Sequence, residues 1–388
     1  MNRLTQDMDA DDRAFGQGWI SGMAGLFLSL LGLGTVLCFW FPQWLTVEQT
    51  RELYAAHLTL IRAILFVVLV SAFLLAFIST ILRRQKVLGL TAMGITLLAT
   101  LMGGSAATSK LNLSSDIYLG LDFFLLNLLF LGTIFVPIER FFKQVDQPIL
   151  RYEWREDLLY FLISTLLIQL LTYLSLAPGL AALGATPWFN QIRIAIAFQP
   201  EILQFFEIMF LTDLAQYWFH RTFHQVPALW KFHAVHHSAR SMDWLAGSRM
   251  HLVESVLMRA FTTLPMFVLG FSESSLHAYV FFVYLMSVFI HSNVNFSFGM
   301  LSYVIATPRY HHWHHAIESE AIDKNFAVHF PILDMIFGTF HLPKDRWPQA
   351  YGISSHPVPS GYWRQFLYPF KKTPKKTDID STEGKAID

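Results

Sequence analysis

LTLIRAILFVVLVSAFLLAFISTIL, residues 58–82, is twenty-five residues of apolar side chains with Arg62 as its single charge. A helix needs about 20 mostly apolar residues to cross the hydrocarbon core, so this stretch reads as a membrane span. Working outward, comparable stretches lie near 18–41, 87–104, 117–137, 157–177, 199–219, 253–270 and 275–291. The expectation is an all-α integral membrane protein of about eight spanning helices. Composition agrees, since 54% of the 388 residues are hydrophobic and 14% are charged, with a mean hydropathy of +0.41, which excludes an ordinary soluble chain.

Lys+Arg 28 against Asp+Glu 28 leaves no net charge and removes the electrostatic basis for binding nucleic acid. The single cysteine, Cys38, excludes disulfide frameworks, zinc ribbons and Cys-ligated iron–sulfur clusters. The acidic start, Asp7 to Asp12, lacks the basic region of a cleavable signal peptide. Placing the N-terminus in the cytoplasm puts Arg83, Arg84, Lys86, Arg140, Lys143, Arg151, Arg155, Arg221, Lys231, Arg240 and Arg249 inside, with Arg51, Lys110 and Arg193 outside. That asymmetry follows the positive-inside rule.

The expected organisation is a four-helix membrane segment over 1–145, a catalytic region over 146–352, and a cytosolic tail over 353–388 whose polar end, KKTPKKTDIDSTEGKAID, reads as disordered. Nothing before about residue 138 reads as chemistry. An anchor or packing platform is the plain reading of that part.

The sixteen histidines are unevenly placed: His57 alone precedes residue 220, and twelve fall between 220 and 315. His220 and His224 stand at i and i+4, one turn apart on one helix face. Asp213 and Tyr217 continue that stripe into the membrane. A carboxylate in an apolar span needs a partner, so Asp213 is expected to accept a hydrogen bond from a ligand imidazole; pairing with Arg221 or capping a neighbouring helix is the bland alternative. After Pro227, LWKFHAVHH supplies His233, His236 and His237, two of which can face one metal while the third turns to a second. His311, His314 and His315 repeat the H-x-x-H-H pattern, with His312 as an extra, after Thr307 as N-cap and Pro308 at the first helical position. His251 and His291 stand at span ends on the same side; for His251 the alternative is a structural residue in contact with Glu254 or Arg249.

Ten imidazoles exceed the roughly four ligands of one structural zinc site, so a dimetal site is expected. Imidazole suits zinc, copper, iron and nickel alike. Redox iron fits a cluster held against a bilayer, whereas zinc would leave only hydrolysis or structure. A non-catalytic metal scaffold or a metal transporter is the alternative reading. The transporter conflicts with a midplane bare apart from Asp213 and with two unlike halves. A haem carrier conflicts with histidines in triplets.

HRTFH (220–224), HAVHH (233–237), HSN (291–293), TPRYHHWHH (307–315), NF (325–326) and DMIFGTF (334–340) together resemble the fatty acid hydroxylase and sterol desaturase superfamily of membrane di-iron oxygenases. HHWHH followed by AIDKNFA, FGTF and YGI looks most like its alkylglycerol monooxygenase branch. The resemblance covers about 205–352. It implies membrane helices with a cytosolic helical, histidine-rich cap holding the dimetal site, two iron ions, O2 as cosubstrate, and hydroxylation or desaturation of a membrane lipid. The ligands it implies are His220, His224, His233, His236, His237, His291, His311, His314 and His315, with His251 added where a branch has it. Some members place a histidine four residues after the one matching His291; here Asn295 stands there, implying an amide ligand through water or an open position. Asn325, Asp334 and Thr339 match positions that support the last box. With no Gly-rich dinucleotide fingerprint, two electrons per turnover must come from a separate partner: a reductase, ferredoxin, cytochrome or pterin, tetrahydrobiopterin being the donor the branch implies. The site is expected on the cytoplasmic face, of the inner membrane in a bacterium or of the endoplasmic reticulum in a eukaryote.

Overall fold

The computed structural model describes residues 3–9, 13–107, 118–183, 187–354 and 358–371. Lys110 and the polar end of the expected tail lie outside them. Among the described residues the chain is helical, with isolated bridges at Lys143 with Val294 and Ala316 with Tyr351. It divides into two units, 1–132 with 165–169 and 133–164 with 170–388.

Among the described residues six helices are long and apolar enough to span: Trp19–Trp40 (α1), Leu58–Leu82 (α2), Val87–Ala106 (α3), Leu121–Phe141 (α4), Leu252–Leu269 and Glu273–His291. This is a multi-pass membrane protein. Two of the eight expected spans come out differently. The stretch at 157–177 is a pair, Trp154–Leu166 (α5) and Ile168–Leu183 (α6), bent by 59° and able to count as a seventh span. The stretch at 199–219 lies in a 25-residue helix, Glu201–Gln225 (α7), whose Glu201, Glu207, Asp213 and Arg221 make it too polar to qualify.

In the first unit α1, α2 and α3 pack through small residues. A Cβ on Gly25 would stand 2.8 Å from the Ala76 nitrogen, so only glycine permits this approach of α1 to α2. Buried polar groups there serve the fold. Asp7 pairs with Arg83 and accepts from the Leu88 amide, and Asp122 accepts from the Val47 amide, Thr50 and Tyr54.

In the second unit α7 leads into Pro227–His237 (α8), begun by a proline whose fixed φ suits a first turn. Leu252–Leu269 (α9) and Glu273–His291 (α10) follow, then the short helix Pro308–His314 (α11). Thr307 caps α11 by accepting from the Tyr310 amide, as its T-P start predicts. Four of them, α7, α8, α10 and α11, carry the clustered histidines, with His315 at the C-cap of α11.

Candidate metal centre

Nine imidazoles gather into two groups, within each of which the ligand atoms lie within 4.8 Å of one another. His220, His224, His233, His237 and His314 form the first; His236, His291, His311 and His315 form the second. Helical periodicity divides the boxes this way. On α8, His233 and His237 are one turn apart and share the first group, while His236 points about 100° away into the second. On α11 the same rule sends His311 and His315 to the second group and His314 to the first. The stacked rings of His237 and His315, 4.5 Å apart, join the two groups.

Backbone carbonyls assign the tautomers. His220 Nδ1 donates to the Phe326 carbonyl at 2.9 Å, His236 Nδ1 to that of Arg249 at 3.0 Å, His291 Nδ1 to that of Ser287 at 2.6 Å, and His314 Nδ1 to that of Lys324 at 2.8 Å. His233 Nδ1 donates to the Glu254 carboxylate at 2.5 Å. The Nε2 atoms of these five rings therefore carry lone pairs.

Those lone pairs face one another. His220 Nε2 lies 2.9 Å from His233 Nε2, and His236 Nε2 lies 3.3 Å from His291 Nε2, with no proton available between them. His237 Nε2 stands 3.1 Å from His233 Nε2, and His311 Nε2 stands 3.0 Å from His291 Nε2. The buried His314 Nε2 and His224 Nε2 have no hydrogen-bond partner. Such an arrangement is repulsive until a cation sits at each focus. A divalent ion about 2.0–2.1 Å from each imidazole nitrogen spaces neighbouring ligand atoms by about 2.9–3.4 Å, the range found here. The donor set fits two metal ions.

Burial, reinforced by the neighbouring imidazoles, holds His220, His224, His236, His237, His311 and His315 well below the usual imidazole range. They are neutral at physiological pH, the state in which imidazole binds metal.

Glu254 supplies what the sequence reading missed. It lies in the first turn of α9, fully buried, with one oxygen on His233 and the other without a partner. An acid in an apolar helix start was visible in the sequence; its partner, 21 residues back, was not. Carboxylate–histidine–metal pairs make the ligand more basic and hold its ring. Glu254→Gln is expected to weaken metal binding by the first group about 10–100-fold, measured by dialysis against a chelator; unchanged retention would show that the carboxylate is dispensable.

Other expected residues are placed differently. His251 stands outside both groups. It caps α9, accepting from the Val253 amide through Nδ1 and meeting the Phe366 carbonyl through Nε2, so both nitrogens are occupied. Asn295 is exposed, because α10 stops at His291 and Ser292 turns extended. Its backbone amide donates to the Phe142 carbonyl at 2.7 Å, which ties the residue to the chain after α4, away from the imidazoles.

Asp213, expected to hold an imidazole, accepts instead from the Val328 and Phe330 amides at 2.8 and 2.7 Å. Tyr217 OH accepts from Arg221 and meets Thr339 Oγ1 at 2.8 Å, which donates in turn to Asp334. Asp334 also accepts from the Phe326 and Ala327 amides and from Tyr310 OH. Two buried aspartates thus clamp residues 326–330 from either end, and through them the carbonyl that orients His220. His312, the extra histidine, bonds to Tyr351 OH and the His291 carbonyl.

Residues 205–339 match the family model described as fatty acid hydroxylase. Among curated proteins it is similar to ornithine lipid hydroxylase OlsE of Rhizobium tropici, 29% identical over 172 residues that make up 44% of this chain and 51% of that protein. It is also similar to the alkylglycerol monooxygenase of Homo sapiens, 31% identical over 147 residues, 38% of this chain and 32% of that protein. Methylsterol monooxygenase 1-2 of Arabidopsis thaliana is 29% identical over 147 residues, 36% of this chain and 47% of that protein. The chain thus spans about a third to a half of the length of these relatives. No solved structure matches.

Proposed function

We propose that this protein is a membrane-bound, O2-dependent di-iron oxygenase that hydroxylates or desaturates a C–H bond of a lipid. The observation that carries the reading is the convergence of nine imidazoles on two foci, where the lone pairs of His220 and His233, and of His236 and His291, face one another. His220, His224, His233, His237 and His314 would hold one iron, and His236, His291, His311 and His315 the other. The chemistry such ions supply is activation of O2 and oxidation of a C–H bond, with two electrons per turnover from a separate donor.

The chain's own part is to bury and orient. Carbonyls and Glu254 fix the ligand rings, and the rings of Phe326 and Trp230 pack directly against them, 5.1 and 5.0 Å from His224. Such walls exclude water from the foci. Relatives whose names specify an ornithine lipid, an alkylglycerol and a methylsterol support a lipid substrate. A reductase, ferredoxin or cytochrome would supply the electrons, or tetrahydrobiopterin as in the branch the motifs resemble, from the cytoplasmic face that the charge asymmetry favours.

The test is metal analysis of the purified chain together with lipid mass spectrometry of cells with and without it, grown under labelled O2. The expected result is two irons per chain and a lipid that gains one oxygen or loses two hydrogens. Zinc alone, with no oxygen consumption, would overturn the reading.

A further inference from the structure

The second group of imidazoles leans on a loop, residues 243–251, that has little regular structure beyond one turn at Ala246–Ser248. The Arg249 carbonyl holds His236 Nδ1 at 3.0 Å. Gly247 lies flat against the ring of His291, where a Cβ would stand 2.9 Å from Nδ1 and 3.2 Å from Cγ. The loop therefore holds His236 by a hydrogen bond and packs against the ring of His291, whose Nδ1 is held by the Ser287 carbonyl.

The loop's turns are closed by hydrogen bonds among its own residues, and it is anchored from outside by Glu139, which accepts from the Trp244 amide, by Glu153 at Arg249, and by Asp157 of α5. Asp157 is fully buried and bridges two guanidiniums, with Oδ1 2.5 Å from Arg249 Nε and Oδ2 2.6 Å from Arg151 Nη2. Arg151 reaches Asp243 at 2.6 Å, which caps the loop's first turn through the Leu245 and Ala246 amides. Asp157 so ties down both ends of the loop. It lies outside residues 205–339, in a stretch where neither the histidine motifs nor the family match points to the site.

Resting on the dimetal reading above, we infer that Asp157 is a positioning residue for the second metal ion, acting through the 243–251 loop on His236 and His291. Its bridge is spent on one focus. The first group is oriented by Phe326 and Lys324, which belong to another segment, and by Glu254 in the first turn of α9, just after the loop.

The test uses the full chain, purified in detergent and loaded with iron(II) or with cobalt(II) as a spectroscopic probe, and counts ions retained at equilibrium. Asp157→Asn is expected to lower the affinity of one ion about 10–100-fold while the other stays bound, as outer-shell losses do. Gly247→Ala, which leaves every charge in place and pushes the His291 ring, is expected to do the same. In a His291→Ala background Asp157→Asn should add nothing, because the focus it serves is already lost. Should Asp157→Asn not fold, Asp157→Glu, which keeps the charge but lengthens the bridge by one methylene, takes its place with the same expectation. Two ions held as tightly as in the unsubstituted chain, or both ions weakened together, would overturn the inference. An unsubstituted chain that fails to bind two ions would instead remove the dimetal reading on which it rests.

Discussion

Alanine at His314 or at His236 is expected to abolish lipid oxidation while leaving expression and membrane insertion largely intact. His314 is a buried ring whose Nδ1 is held by the Lys324 carbonyl and whose Nε2 has no hydrogen-bond partner. It stands 4.4 Å from the ring of His220 and 4.6 Å from that of His237. Removing it takes one nitrogen of five from the first focus. His236 plays the same part among four in the second, 4.6 Å from His315. Changes one shell further out typically cost about 10–100-fold, so loss of a direct ligand should exceed about 100-fold in product formed. Neither ring lies in a spanning helix, and Thr307, which caps α11, is untouched. Lipid mass spectrometry with metal counting on the same preparations checks this; activity retained in both variants would take these histidines out of the ligand set.

Asp334→Asn is expected to be the most damaging change away from the imidazoles. The Asp334 carboxylate accepts from two backbone amides at 2.8 and 2.9 Å, from Thr339 at 2.7 Å and from Tyr310. An amide of the same shape turns an N–H toward those donors and leaves one or two of them unsatisfied. At about 1–3 kcal/mol for each buried donor left without a partner, the loss is roughly 3 kcal/mol or more. The 326–330 segment then loosens, and the Phe326 carbonyl releases His220. Thermal unfolding in detergent, with metal content followed in parallel, measures both effects. Thr339→Val, which removes one of the four donors, should cost about 1 kcal/mol. A melting temperature for Asp334→Asn equal to that of the unsubstituted chain would show that the clamp contributes nothing.

Much of this architecture was legible in the chain. Long apolar runs placed α1, α2, α9 and α10 to within a few residues, because burial in lipid leaves little choice of side chain over about twenty positions. The H-x-x-H-H spacing carried its own division between two foci, since about 3.6 residues per turn separates i and i+4 from i+3. Misreadings came where position along the chain stood in for direction in space. His251 precedes a span as a ligand would, yet the same place suits an N-cap, and its backbone (φ −67, ψ 137) is that of a cap. Asn295 lies four residues after His291, which puts two residues on one face only while the helix lasts. It ends at His291, with Ser292 extended. Asp213 needed a partner in an apolar helix, and the demand was sound; two amides 115 and 117 residues away meet it.

What could be read from the order of residues was therefore whatever depends on near neighbours: which helices are apolar, which histidines share a face, and that more imidazoles are present than one ion uses. Tertiary structure decided which atom holds most of the oriented rings: apart from Ser287, one turn before His291, those acceptors stand as far as 106 residues from the imidazole they orient, as Phe326 does from His220. A lone pair at Nε2 is fixed where the proton on the opposite nitrogen is engaged, and for His220, His233, His236 and His314 that engagement is made by chain segments that folding brings together.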